Sequence, residues 1–124
     1  MRFGVLGDAK IARTKLLPAI RAAGHRVTLL GRRDASAGAE PAWGPVTVTS
    51  YDELLQDPQV DAVYNALPNH LHVPWSLQAL ASGKPVLCEK PVALNVDDLD
   101  RLAAAAARTG LYVYDGFMVR FHPQ

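Results

Sequence analysis

The sequence predicts an α/β protein built on a doubly wound parallel sheet. Three observations predict it. Short apolar runs bounded by glycine or proline are the right length for buried strands. The segments between them carry apolar residues at helical spacing. The two kinds of segment alternate along all 124 residues. Such alternation closes through right-handed crossovers, which keep the strands parallel and place helices on both faces.

The run at 2–6, Arg-Phe-Gly-Val-Leu, stops at Gly7 and reads as the first strand. Ala12, Leu16, Ile20 and Ala23 then recur at helical spacing, and Gly24 ends the stretch. Pro18 cannot donate to the carbonyl of Thr14, so this helix is expected as a first turn over 10–15 and a restart with Pro18 near its N-terminus. The second strand is expected at 26–30 and the third, a short one, at 46–48. Between them Gly38, Pro41, Gly44 and Pro45 break the chain too often for a regular crossover helix, leaving a loop or a single turn.

Ser50 and Glu53 have the spacing of a capping box, which predicts a helix to about Gln56. A fourth strand follows at 61–67, and Pro68-Asn69 turns the chain into a helix ending near Gly83, with Val73, Leu77 and Leu80 on its apolar face. The fifth strand is 85–88. Asn95 caps a helix whose stripe is Val96, Leu99, Leu102 and Ala106 and whose stop is Gly110; the sixth strand is 111–114. This order of elements is that of a Rossmann-type dinucleotide-binding domain. A single domain, 1–124, is expected, with an irregular connection between strands 2 and 3.

Composition narrows the partners. Thirteen Lys and Arg against twelve Asp and Glu give a net charge of +1 with no basic face, which disfavours nucleic acid. A single cysteine, Cys88, forms no intrachain disulfide. No segment has the length and apolarity of a membrane span or the pattern of a cleaved leader, so a cytoplasmic protein is expected. His70 and His72 stand two residues apart without an acidic or thiol partner, and no metal site is expected.

Two motifs carry chemistry. Gly7-Asp8-Ala9-Lys10-Ile11-Ala12 fits a G-x-A-x-x-A form of the phosphate-binding turn between a strand and a helix, with Gly7, Ala9, Lys10 and Ile11 toward the cofactor. The same residues also serve a tight turn that binds nothing. Past the second strand, Arg32 and Arg33 stand where an acidic residue would hold the ribose of NAD. Two guanidinium groups suit a 2′-phosphate, so NADP is expected ahead of NAD, which stays possible; the alternative is a pair of solvated charges.

The segments 66–72 (Ala-Leu-Pro-Asn-His-Leu-His), 83–91 (Gly-Lys-Pro-Val-Leu-Cys-Glu-Lys-Pro) and 116–124 (Gly-Phe-Met-Val-Arg-Phe-His-Pro-Gln) resemble, in this order, the glucose-fructose oxidoreductase, inositol dehydrogenase and rhizopine-catabolism family. The resemblance implies an oxidoreductase moving hydride between nicotinamide and a sugar, polyol or related substrate. It implies that Lys90 is catalytic, orienting the substrate hydroxyl and easing its proton loss, with Glu89 beside it and a cis bond before Pro91. It further implies that Leu67, Pro68, Asn69 and His72 form a loop beneath the adenosine and ribose, and that Arg120 lies near the nicotinamide.

Family members continue into a substrate domain that is absent from 1–124, so the chain is expected to bind cofactor without turnover. The surface that this domain would cover, with Phe117, Met118, Val119 and Phe121, is expected to support a homodimer. The rival expectation is a self-associating scaffold that keeps the fold and has lost the cofactor.

Overall fold

The computed structural model describes residues 1–121 and 123, with the backbone alone for 120 and 121. Six strands form one parallel sheet in the order β3-β2-β1-β4-β5-β6. They are β1 (Arg2–Leu6), β2 (Arg26–Gly31), β3 (Thr47–Thr49), β4 (Ala62–Asn65), β5 (Val86–Cys88) and β6 (Val113–Asp115). Strand order reverses between β1 and β4, which opens a crevice at their carboxyl ends.

Side-chain alternation along β1 divides the core. Leu6 points to the face covered by α2 (Tyr51–Gln56) and α3 (His72–Ala81), among Leu54, Val63 and Val86. Val5 points to the other, where α1 (Leu17–Ala22) supplies Leu17 and Ile20. A side chain at Gly4 would lie 2.6 Å from Leu54, so the glycine lets α2 approach the sheet. The capping box at Ser50 and Glu53 forms in full and starts α2 as expected.

The first helix follows the Pro18 argument. A π-helical turn, Ala12–Leu16, precedes α1, and the Leu17 N–H reaches back to the Ala12 carbonyl. The wider turn absorbs the missing Pro18 donor, and Pro18 sits in the first turn of α1.

The connection between β2 and β3 is a loop with one 3-10 turn, Pro41–Trp43. It matches the loop or single turn that its glycines and prolines predict, and it still covers the sheet face. Trp43 is fully buried against α1 and the sheet, and Arg21 donates to the Trp43 carbonyl at 2.8 Å. One buried indole packs on the sheet face where the chain forms no crossover helix.

Two expectations need correction. The apolar stripe of α4 (Val96–Thr109) is buried only at Leu102 and Ala105, while Val96 and Leu99 are 70% and 47% exposed. The sixth strand begins two residues later than expected, because the Val86 N–H pairs with the Tyr112 carbonyl and sets the register Val86↔Val113. A closing 3-10 turn, Met118–Phe121, was not anticipated.

Candidate functional site

The carboxyl edge of the sheet gathers most of the residues singled out above. At the switch point, a crevice of about 620 Å³ is lined by Gly7 and Ala9 from the first turn, Arg32 and Arg33 past β2, and Leu67 and Pro68 past β4. Two carboxylates, Asp8 and Asp34, stand in the same wall with Tyr51 and Ala66. Gly7 has φ +93°, and a Cβ there would stand 3.1 Å from the Ala66 carbonyl oxygen, so the turn is shaped for a residue without a side chain. Such a backbone cradle beside paired guanidinium groups fits a dinucleotide phosphate.

The two arginines differ. The Arg32 guanidinium donates to the Gly38 carbonyl at 2.8 Å and lies 3.8 Å from Asp8. Arg33 is exposed and makes no hydrogen bond or ion pair among the described residues. Asp34 neutralises neither by contact, since its carboxylate accepts from the Ser36 N–H and hydroxyl, which hold it below the usual carboxylate range.

The loop after β4 is held by a buried polar network. Asn65 donates to the His72 carbonyl at 3.0 Å and to Ser76 Oγ at 3.1 Å, and accepts from the Leu67 N–H. The His72 ring nitrogens lie 2.7 Å from the carbonyls of Leu67 and Pro91. His72 is 1% exposed, so it stands behind the loop as a strut and not on the crevice surface, which corrects its expected contact with a cofactor. Asn69 is exposed in the 3-10 turn Asn69–Leu71. A polar asparagine ending an apolar strand is the sequence signal for this network.

His72 also ties this loop to the next. Lys90-Pro91 is a cis peptide bond. Glu89 is fixed from three sides: its N–H bonds the Asn65 carbonyl at 2.9 Å, its Oε1 accepts from Tyr64, and its Oε2 accepts from the Lys90 N–H at 3.3 Å. Burial, then the Glu89 carboxylate, pushes the Tyr64 phenol up, so it stays a donor. Lys90 itself is exposed at the same edge.

Not every expected residue joins the crevice. Ile11 and Glu89 line a separate pocket of about 230 Å³ with Tyr64 and Asp115, while Lys10 is exposed at the start of the first helix. The side chain of Arg120 lies outside the described residues, as do His122 and Gln124. Cys88 is fully buried and its thiol is pushed up to about 12 by burial, as suits a small core residue. Asp8 was overlooked, although it occupies the variable position of the phosphate turn.

A parallel sheet in this order, with a glycine turn at its switch point and basic residues past its second strand, defines a Rossmann-type dinucleotide-binding domain. Residues 1–117 match the oxidoreductase family with an NAD-binding Rossmann fold, and the chain belongs to that family. It is 45% identical over 128 residues to an uncharacterized oxidoreductase of Rhizobium meliloti, covering 100% of this chain and 38% of that protein. It is 39% identical to a D-xylose 1-dehydrogenase (NADP(+)) of Haloferax volcanii, covering 99% of this chain and 39% of the relative. A 3-ketoreductase of Actinomadura kijaniata solved in complex with NADP superposes with a TM-score of 0.91 at 39% identity, over 100% of this chain and 41% of the other. The chain therefore spans about two fifths of the length of these relatives. No helix among the described residues is long and apolar enough to cross a membrane.

Proposed function

We propose that this chain is the cofactor-binding half of an NADP-preferring oxidoreductase acting on a hydroxyl or carbonyl carbon of a sugar, polyol or related compound. The observation that carries the reading is the crevice that joins the Gly7 turn to Arg32 and Arg33. Gly7, Ala9 and the loop 67–69 would hold the dinucleotide backbone, and the arginines its 2′-phosphate. When bound, the nicotinamide supplies or accepts the hydride. Lys90 would orient the substrate hydroxyl and ease its proton loss, with Glu89, fixed by Tyr64, holding the Lys90 backbone in place. The relatives named above, an NADP-dependent xylose dehydrogenase and a ketoreductase solved with NADP, support this class of substrate and cofactor.

Residues 1–124 alone would bind NADPH without turnover, because the residues described here form one wall of a cleft and hydride transfer needs both reactants held in place. The apolar residues exposed on and after α4 would support a homodimer of this chain. The rival reading is a self-associating scaffold without cofactor, and the packed Trp43, which closes the irregular β2–β3 connection, weighs against it.

Calorimetric titration tests the reading. Wild type should bind NADPH more tightly than NADH, and replacing Arg32 and Arg33 together with Ala should erase most of the difference. Equal affinity for both cofactors, or a double variant that keeps the full preference, refutes the NADP assignment.

A further inference from the structure

Asp8 puts a negative charge into the wall of a crevice that must receive phosphates. One carboxylate oxygen, Oδ1, accepts from the Trp43 indole N–H at 2.8 Å and from the Arg13 guanidinium, and Oδ2 lies 3.8 Å from Arg32. Burial pushes the Asp8 carboxyl up, but the bonds from Trp43 and Arg13 and the charges of Arg13 and Arg32 outweigh it, so the group stays ionised. Arg13 is the nearer cation to this carboxylate, and Arg32, at 3.8 Å from Oδ2, has part of its positive field offset by the charge that remains. The Arg32 guanidinium is also tied to the far side of the loop through the Gly38 carbonyl. Arg33, one residue on, has no such partners among the described residues.

We propose that Asp8 is a specificity-determining residue of the crevice: it holds Arg32 as a structural cation over the β2–β3 connection and leaves recognition of a 2′-phosphate to Arg33. The inference rests on the cofactor reading above and divides the work that reading gives jointly to two arginines. A carboxylate is needed for this division. An amide at the same position still accepts from Trp43 and Arg13 through its oxygen, yet no longer offsets the Arg32 charge.

The test is calorimetric titration of NADPH and NADH into the full chain and its variants. Arg33→Ala should lower the NADPH preference about tenfold or more, the size of one charge-assisted hydrogen bond, and Arg32→Ala should lower it less than about threefold. Asp8→Asn should raise NADPH affinity more than NADH affinity. In the Asp8→Asn background, Arg33→Ala should cost less than in wild type, because the freed Arg32 takes over part of the contact. Equal losses for the two single arginine variants overturn the inference while leaving the NADP reading intact, as does an Asp8→Asn protein with an unchanged cofactor ratio. The single arginine variants decide the matter even where Asp8→Asn folds poorly. Wild type that binds no NADPH removes the cofactor reading and this inference with it.

Discussion

The two ends of the sheet's carboxyl edge are built differently. Around β1, β2 and β3, side chains knit the surface to itself: Trp43 is buried, its indole bonds Asp8, and Arg13, Arg21 and Arg32 each tie the β2–β3 connection or the first turn in place. Around α4 and β6 large apolar side chains are exposed, with Asp97, Asp100 and Arg101 among them on α4. Of the ten large hydrophobic residues that are exposed among the described residues, eight lie between Leu94 and Val119, including Tyr112, Tyr114, Phe117 and Met118. A polar net satisfies a surface in water, whereas exposed apolar side chains gain from being covered. The first region is held by contacts within the chain, whereas the second leaves large apolar side chains exposed.

The largest effect expected from this contrast is on stability. Trp43→Ala should cost about 3–5 kcal/mol in denaturant unfolding, since it empties a buried site, whereas Phe117→Ala should stay within about 0.5 kcal/mol. Similar costs for the two would break the comparison. Next, His72→Ala should cost about 1–3 kcal/mol by removing the ring that sits between the Leu67 and Pro91 carbonyls and donates to one of them, and it should loosen the loop that Leu67 and Pro68 form. Amide exchange at 67–71 that stays as slow as in wild type would show that the strut is dispensable.

The open end is tested by assembly. Replacing Phe117 and Met118 together with Ser should weaken self-association about tenfold or more in sedimentation, with NADPH affinity unchanged. Wild type that remains a monomer at high micromolar concentration would show that the patch meets no second copy. The smallest effect concerns acid. Hydrogen bonds from the Thr49 hydroxyl and from the Ser50 hydroxyl and N–H lower the Glu53 carboxyl from its ordinary 4.5 to about 2. Its folded value is depressed, so its contribution is complete above the ordinary value and is lost as pH falls from 4.5 toward 2. Thermal midpoints measured across that window should fall less steeply for Glu53→Gln than for wild type.

Residues close in sequence were legible without the fold. The order of six strands and their helices, the Ser50 capping box, the interruption at Pro18 and the position of the glycine turn all follow from local pattern, because backbone periodicity, caps and missing donors act over a few residues. The basic pair past β2 was readable from its place after the second strand, whereas the Glu89-Lys90-Pro91 step was readable only through the family resemblance.

Tertiary structure decided which side chains meet. Nothing near Trp43 in sequence indicates that its indole packs on the sheet face and bonds Asp8, 35 positions away. The partners of His72 lie on two different loops, so the residue that looked like a cofactor contact became a strut only once β4 and β5 were paired. Val96 and Leu99 have the spacing of a buried stripe, yet they are exposed because periodicity gives a helix an apolar face without providing anything for that face to pack against. Short-range pattern determined the elements of this protein, and the distribution of buried and exposed groups between them was set by packing, which depends on contacts that no local window contains.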